Sequence, residues 1–427
     1  MANYQEHWQA LTQCLRFPTS DHERWWRRVA PTLGRALHET GYTPESQLRH
    51  LLLIYSAVIP FLGPYPILNK GLAWRSCIAG HDGVPMDISV NYQKNSKQVI
   101  RMNFEPIGPH AGLHDDPINQ YAAGDVHRVL ARLQPGIDLT WYNQLEGQMV
   151  HKSDYVPQDE TALVQFSNKT QMLFGLDFGE GSVVVKAYFF PLVRATATGT
   201  DWMRILFDSV RSLRVFTDKL QSEISAIETY FQSVRDRLLP EHSEVGFDCT
   251  SPTDQSRIKI YAAMKVSSLQ DLYDFHTLGR YLQGSAIEKG FEILSQLWDM
   301  IYLNYLPDGR GREYLQVHCN WELSAHDAVP APKIYFLVAD ELDEHVSGAV
   351  IGLFHGLGWH QQAEHHEALV KGFFDSQCGH KESTTLYTWL AFAYSESAGP
   401  YLTVYFKPPA PPESMAGVSC ITECEGD

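Results

Sequence analysis

Arg257-Ile258-Lys259-Ile260-Tyr261 alternates polar and apolar side chains without a break. On a strand, successive side chains point to opposite faces, so Arg257, Lys259 and Tyr261 share one face and Ile258 and Ile260 the other. The device recurs along the chain. Lys186 and Tyr188 flank Ala187, Lys333 and Tyr335 flank Ile334, and Tyr401 and Tyr405 lie opposite Leu402 and Val404. Arg101 and Asn103 alternate with Ile100 and Met102, and Asp87, Ser89 and Asn91 with Met86, Ile88 and Val90. One such strand reads as a solvated sheet face packed on a core. A whole series of them, presenting cations and tyrosines in an acidic protein, reads differently. If amphipathic helices cover the apolar faces, the polar faces turn inward. A closed antiparallel barrel then encloses a chamber lined with Arg, Lys and Tyr.

The rest of the chain supplies those helices. Apolar residues at three- and four-residue spacing predict helices over 22–38, 43–61, 200–239, 267–282, 287–305, 342–357 and 361–374. Pro240 is expected to stop the third of these. Asp116-Pro117 reads as a cap and first-turn proline for a helix running to about Leu133. Between the helices lie short strand-like runs: 85–92 with 98–104, 162–167 with 172–178 and 183–189, 257–264, 315–321 with 333–338, and 390–394 with 401–406. Strands joined in pairs by short turns are antiparallel, which excludes a doubly wound parallel sheet and predicts an α+β fold. The alternation of helices and strand pairs repeats roughly five times.

The chain has 427 residues, 34 Lys+Arg against 50 Asp+Glu, and a net charge of −16. Hydrophobic residues make up 44%, which marks a folded, core-rich chain. Such a charge argues against a general nucleic-acid binder, which needs a basic footprint. The longest apolar run, Leu51 to Leu62, is too short to span a membrane, and the first residues lack the pattern of a secretory signal. The expected location is cytoplasmic. Seven widely spaced cysteines, without a C-x-x-C pair, predict free thiols and neither disulfides nor structural zinc. No internal linker is visible. Residues 1–407 read as a single domain and 408–427 as a Pro- and acid-rich tail.

A chamber of this kind suits a polyanion. Arg101, Lys186, Arg257, Lys259 and Lys333 can give charge-assisted hydrogen bonds to phosphate oxygens. Tyr188, Tyr261, Tyr335, Tyr401 and Tyr405 add hydroxyl donors and ring faces that stabilise a carbocation. Phosphate and carbocation together describe an allylic diphosphate that ionises in a shielded site.

On these residues the chain resembles the fungal dimethylallyltryptophan synthase-type aromatic (indole) prenyltransferases over nearly its whole length. The matching segments are 74–92 (WRSCIAGHDGVPMDISVNY), 99–108 (VIRMNFEPIG), 183–191 (VVVKAYFFP), 257–261 (RIKIY), 330–336 (PAPKIYF) and 399–406 (GPYLTVYF). The resemblance implies a ten-stranded antiparallel prenyltransferase barrel of five αββα units, with helices outside and the active site inside. It also implies metal-independent transfer of a prenyl group, dimethylallyl or geranyl, from an allylic diphosphate to an aromatic acceptor in secondary metabolism. No cofactor is implied; the donor is a co-substrate. The partners expected are that donor and a small indole or hydroxyaromatic acceptor, with no nucleic acid or membrane, acting on a monomer or homodimer.

Carried over by position, Arg101, Lys186, Tyr188, Arg257, Lys259, Tyr261, Lys333, Tyr335, Tyr401 and Tyr405 match the family's diphosphate-binding and tyrosine-shield positions. Tyr394 matches a further shield position. Many relatives have Gln where Lys333 stands. The departure is Asp87: tryptophan-type relatives carry Glu in the P-x-E-x-S-x-N segment, positioned to accept the acceptor's N–H hydrogen. Asp87 keeps the carboxylate one methylene shorter, so the acceptor sits closer, a water intervenes, or the acceptor is a phenol.

Other signals point to structure. Asp115-Asp116 and the acidic run 340–344 lack D-D-x-x-D spacing and precede helices, where acids complement the helix dipole. Magnesium dependence is not expected. His360, Glu364, His365 and His366 fit no zinc-hydrolase pattern and read as a solvated helix face. The segment 175–181 (GLDFGEG) reads as turns between strands rather than a phosphate loop. Two alternatives to aromatic transfer remain from the residues: a terpene cyclase using the same barrel on a longer diphosphate without an aromatic acceptor, and a non-catalytic phosphate-binding module.

Overall fold

The computed structural model describes residues 6–67, 71–78, 82–152, 168–213, 218–253, 256–303, 314–324, 329–375 and 386–410. Ten strands follow one another in antiparallel order: β1 (Met86–Gln93), β2 (Val99–Phe104), β3 (Met172–Phe178), β4 (Val183–Phe189), β5 (Leu238–Asp248), β6 (Arg257–Val266), β7 (Leu315–Ser324), β8 (Ala331–Leu337), β9 (Tyr387–Ser395) and β10 (Gly399–Phe406). Each pairs with its chain neighbours, and β1 pairs with β10, from Ile88 opposite Phe406 to Gln93 opposite Tyr401. The sheet is therefore a closed barrel with no free edge. Helices precede each strand pair and lie outside, giving the five-fold rhythm that the sequence predicts.

Alternation explains this inside-out arrangement. The outward residues of the strands are apolar and meet apolar helix faces. Trp321 leaves β7 fully buried between Phe231 of the helix Asp218–Ser233 and Phe275 of the helix Leu269–His276, with ring centroids 5.6 and 5.4 Å away. Outward from β1, Tyr92 packs on Phe354 at 4.9 Å. Phe104 and Phe174 stack at 5.9 Å, and Tyr142 of the helix Thr140–Met149 stacks on Phe174 at 6.0 Å. The hydrophobic core is thus a sleeve between sheet and helices, and the lumen is left to polar residues.

Most expected elements are present, β3 and β4 with the same bounds. The principal correction is β5. The long helix expected over 200–239 is instead Trp202–Arg211, Asp218–Ser233 and a short 3-10 turn, after which β5 starts at Leu238. Pro240 does not stop a helix. It lies in the irregular part of the β5–β6 ladder between Leu239 and Glu244, where a residue without an N–H leaves no ladder bond broken. The helix expected from Pro117 starts only at Ala122; Asp116 accepts from the Gln120 N–H at 2.8 Å and caps a turn before it. Asp343 opens its helix as expected, yet it is buried and accepts from the Leu386 and Tyr387 N–H groups at 3.1 and 3.2 Å, tying that helix to the start of β9.

The histidine cluster also differs from expectation. His360 and Glu364 are exposed, whereas His366 is fully buried against the hydroxyls of Tyr387 (3.0 Å) and Tyr92 (3.3 Å). Gly175 and Asp177 belong to β3 and not to a turn. Cys14, Cys77, Cys249 and Cys319 are free thiols; the other three cysteines, the strand expected over 162–167 and the end of the tail lie outside the described residues.

Removing the largest residue of the β7 outer face tests the sleeve. Trp321→Ala is expected to cost about 3–5 kcal/mol, the usual range for an aromatic-to-alanine change in a core. Urea denaturation followed by far-UV circular dichroism measures the shift.

Candidate active site

One cavity of about 960 Å³, open mouth included, occupies the barrel. Its lining includes Asp87, Arg101, Lys186, Tyr188, Lys259, Tyr261, Lys333, Tyr335 and Tyr405. The ladder explains the grouping, because directly paired residues share a face. Ser89 pairs with Arg101, Arg101 with Asp177, Lys186 with Asp248, Lys259 with Glu322, and Asn320 with Lys333. The cations therefore form one tier around the lumen.

That tier is an alternating charge network. Arg101 meets Asp177 at 3.0 Å, and Lys186 bridges Asp177 (3.3 Å) and Asp248. Arg257, half exposed at the rim, bridges Asp248 (3.2 Å) and Glu322 (3.3 Å), and Lys259 meets Glu322 at 3.2 Å. Burial pushes the carboxyls of Asp248 and Glu322 upward, but their cations outweigh it and hold both below the ordinary range. Lys333 has no such carboxylate partner within ion-pair distance among the described residues. Its ammonium donates to the Thr403 hydroxyl at 2.8 Å and lies 4.7 Å from the centre of the Tyr401 ring. Burial first, then Arg101 and Lys259, pulls its pKa well below the lysine range. Five cations against three carboxylates leave the tier short of negative charge, and a diphosphate corrects this.

Next to the cations runs a belt of tyrosines, one from each of β4, β6, β8 and β10. Ring centroids are 5.9 Å apart for Tyr188–Tyr261, 6.1 Å for Tyr261–Tyr335 and 6.2 Å for Tyr335–Tyr405. Burial raises the pKa of all four hydroxyls, so they stay protonated donors at neutral pH. The belt needs a gap in the wall at β5. A Cβ on Gly246 would lie 2.6 Å from the Tyr188 ring and 3.2 Å from that of Tyr261. Only glycine leaves room there for both rings, which meet edge to face at 70°.

Beyond the belt, the chemistry changes. Asp87 is 4% exposed, and its Oδ1 accepts from the Asn103 amide at 2.9 Å. Burial raises its pKa to about 7 against the lowering effect of Asn103. Glu244 of β5 faces the same space, pushed well above the carboxylate range by burial. His242 and His318 lie 5.0 Å apart, and His318 is 4.4 Å from Trp389. Burial depresses both imidazoles, so they are neutral at pH 7.

The structure thus brings eleven of the twelve anticipated residues to the lumen or its rim. Tyr394 is the exception and a correction. It follows Ala393, which shares the inward face with Lys333 and Tyr401, so Tyr394 points outward. It packs on Gly290 of the helix Ser285–Trp298, whose own Cβ would come within 2.9 Å. It cannot screen a cation in the barrel. Sequence reading missed Asp177, Asp248 and Glu322 as counter-charges, and Glu244, His242, His318 and Trp389 at the far end. The alternation Glu244-Val245-Gly246-Phe247-Asp248 carries the signal for β5.

Cations for a leaving diphosphate, ring faces for what it leaves behind and a carboxyl for a displaced proton together suit an aromatic prenyltransferase. The chain belongs to the tryptophan dimethylallyltransferase family, whose model matches residues 21–368. It is 31% identical to echinulin prenyltransferase 1 of Aspergillus ruber over 412 residues, covering 93% of this chain and 96% of that protein. It is 29% identical to tryptophan dimethylallyltransferase 2 of Epichloe coenophiala, covering 94% and 92%. Among solved structures, AnaPT from Neosartorya fischeri superposes with a TM-score of 0.83 at 29% identity, covering 95% of this chain and 98% of that one. NotF in complex with brevianamide F and DMSPP gives 0.81 at 27% identity, covering 95% and 99%.

The close approach at Gly246 makes a prediction. Gly246→Ala must displace the Tyr188 ring, so it is expected to lower kcat/KM for prenyl transfer at least tenfold, or about 1.4 kcal/mol of transition-state stabilisation. Thermal unfolding of the same variant separates this from loss of the fold.

Proposed function

We propose that this chain transfers a dimethylallyl or geranyl group from its diphosphate to an indole or hydroxyaromatic acceptor without a metal ion, Asp87 taking the displaced proton. The observation that carries this reading is the cation tier set directly against the tyrosine belt in one closed lumen. Arg101, Lys186, Lys259 and Lys333, with Arg257 at the rim and Tyr401 beside Lys333, grip the diphosphate. Lys259 and Lys333, destabilised as buried ammonium ions, gain most when an anion arrives.

The C–O bond to the diphosphate then breaks and the leaving group keeps the electron pair. Tyr188, Tyr261, Tyr335 and Tyr405 face the allyl cation with their rings and exclude water. An electron-rich atom of the acceptor forms the new bond to the prenyl carbon. Asp87 accepts the proton that the acceptor loses, and a pKa of about 7 leaves it part-ionised at neutral pH, poised as a base. Charge that a magnesium ion would otherwise supply comes from the cation tier, which supports metal independence.

The same reading takes residues 1–407 as one domain, supported by the closure of β1 on β10, and 408–427 as a tail. It takes the enzyme to act in the cytoplasm as a monomer or homodimer. Free cysteines support a reducing compartment, and no helix among the described residues is long and apolar enough to cross a membrane.

Purified protein incubated in EDTA with dimethylallyl or geranyl diphosphate and an aromatic panel should yield an acceptor one prenyl unit heavier by mass spectrometry. A hydrocarbon formed without acceptor, or activity restored only by magnesium, would overturn the proposal. Asp87 also sets a pH dependence. Protonation below about 7 removes the base, so kcat should rise with pH through that value and level off above it. Asp87→Asn should lower kcat by about 10²-fold or more and abolish that limb.

A further inference from the structure

We propose that Glu105 is a positioning residue: it holds residues 74–78 across the Asp87 end of the lumen and so keeps water from the reacting atoms. This rests on the prenyl-transfer reading and adds to it a residue that touches neither substrate.

Glu105 directly follows β2. Its N–H donates to the Pro85 carbonyl at 2.9 Å, which carries the β1–β2 ladder one step past the pair Met86–Phe104. The alternation of β2 therefore runs on. Arg101 enters the cation tier, Asn103 holds Asp87, and Glu105 points to the same side one level further along. There it is 1% exposed.

Both oxygens of its carboxyl are engaged. The Trp74 indole N–H donates to Oε1 and the Thr170 hydroxyl to Oε2, both at 2.9 Å. Ser76 gives it a further side-chain hydrogen bond. Thr170 in turn accepts from the Cys77 N–H at 3.0 Å, and the Ser76 hydroxyl accepts from the Ile78 N–H at 3.2 Å. A carboxylate is the side chain that receives several donors at once without bringing an N–H or O–H of its own. Burial raises its pKa to about 7 against these hydrogen bonds, so a carboxyl is kept here at a cost.

That cost secures a segment with no ladder of its own. Residues 74–78 belong to neither a helix nor a strand, and their polar groups turn to Glu105 and Thr170 instead. Cys77 and Ile78 then line the lumen together with Asp87. The Cys77 thiol marks the junction. Burial first, then Glu105, Glu244 and Asp87, raise its pKa, which places it between Glu105 behind the segment and the acids of the lumen in front.

Water admitted at this end reaches the allyl cation from the acceptor side of the tyrosine belt. Its oxygen bonds to the prenyl carbon, Asp87 takes the proton, and prenyl alcohol leaves in place of the adduct. The cation tier lies on the other side of the belt, so the grip on the diphosphate is unaffected.

Two variants loosen the anchor from opposite sides. Glu105→Gln sets an amide N–H against donors, and Trp74→Phe keeps a ring but removes the indole N–H. Each is incubated with dimethylallyl diphosphate and the panel acceptor that the wild type prenylates best. Both are expected to raise the ratio of prenyl alcohol to adduct, Glu105→Gln by about tenfold or more, with KM for the diphosphate within about twofold of the wild type. The double variant should go no further than Glu105→Gln alone, since the two residues share one contact. Alkylation of Cys77 by iodoacetamide, followed by peptide mass spectrometry, needs no turnover and should quicken in both variants. Trp74→Phe leaves the Glu105 carboxylate near the thiol, so a faster rate there reports movement of the segment and not a change of charge. An unchanged ratio in both variants, additive effects in the double variant, or faster labelling with an unchanged ratio overturns the inference. If the wild type prenylates no acceptor, the transfer reading itself fails. Labelling that stays at the wild-type rate in both variants overturns Glu105 as the anchor, whatever the enzyme turns over.

Discussion

The pairing of β1 with β10 is the constraint on which everything else in this protein depends. It closes the sheet, and closure gives the sheet an inside that only alternate residues can reach. Because helices bury the outer face, water and polar chemistry are confined to the lumen. Cations that would be scattered over the surface of an open sheet become neighbours. Asp177, Asp248 and Glu322 then become necessary, since five desolvated cations in one tier would repel one another. The site has paid for its positive charge with these carboxylates, and the remaining excess matches a diphosphate.

Packing constraints carry through to chemistry by the same route. Gly246 has no side chain because Tyr188 and Tyr261 occupy its space, so a backbone position on β5 governs the shape of an aromatic belt made by four other strands. The outward tryptophan of β7 and the inward Asn320 are adjacent residues with separate duties. Trp321 anchors two helices, and Asn320 donates to the Tyr335 hydroxyl at 2.7 Å. Stability and function are thereby divided between the two faces of every strand.

Polarity changes along the lumen as well as across the sheet. One end is cationic and the other holds raised acids and neutral histidines, with tyrosine rings between them. A reaction that ionises a diphosphate, protects a cation and discards a proton needs those three environments in that order. The shorter reach of Asp87 relative to a glutamate is compatible with this layout, because the Asn103 amide holds the carboxyl against the wall of β1 and β2.

Sequence alone determined much of this. Alternation in Lys186-Ala187-Tyr188, Arg257 to Tyr261 and Lys333-Ile334-Tyr335 specified strands, faces and lumen chemistry, because a period of two survives any packing. It could not settle β5. Leu238-Leu239-Pro240 continues the helical spacing that precedes it, and only the irregular ladder beside β6 makes a proline acceptable there. Nor could it orient Tyr394, since Ala391, Phe392 and Ala393 are apolar on both faces and the register with β10 decides which side is in. His366 looked solvated beside exposed neighbours and proved buried between two tyrosines. The counter-charges and the inward placement of Glu244 were decided by tertiary structure alone. They depend on which residue stands across the ladder or the lumen, and that partner is distant in the chain.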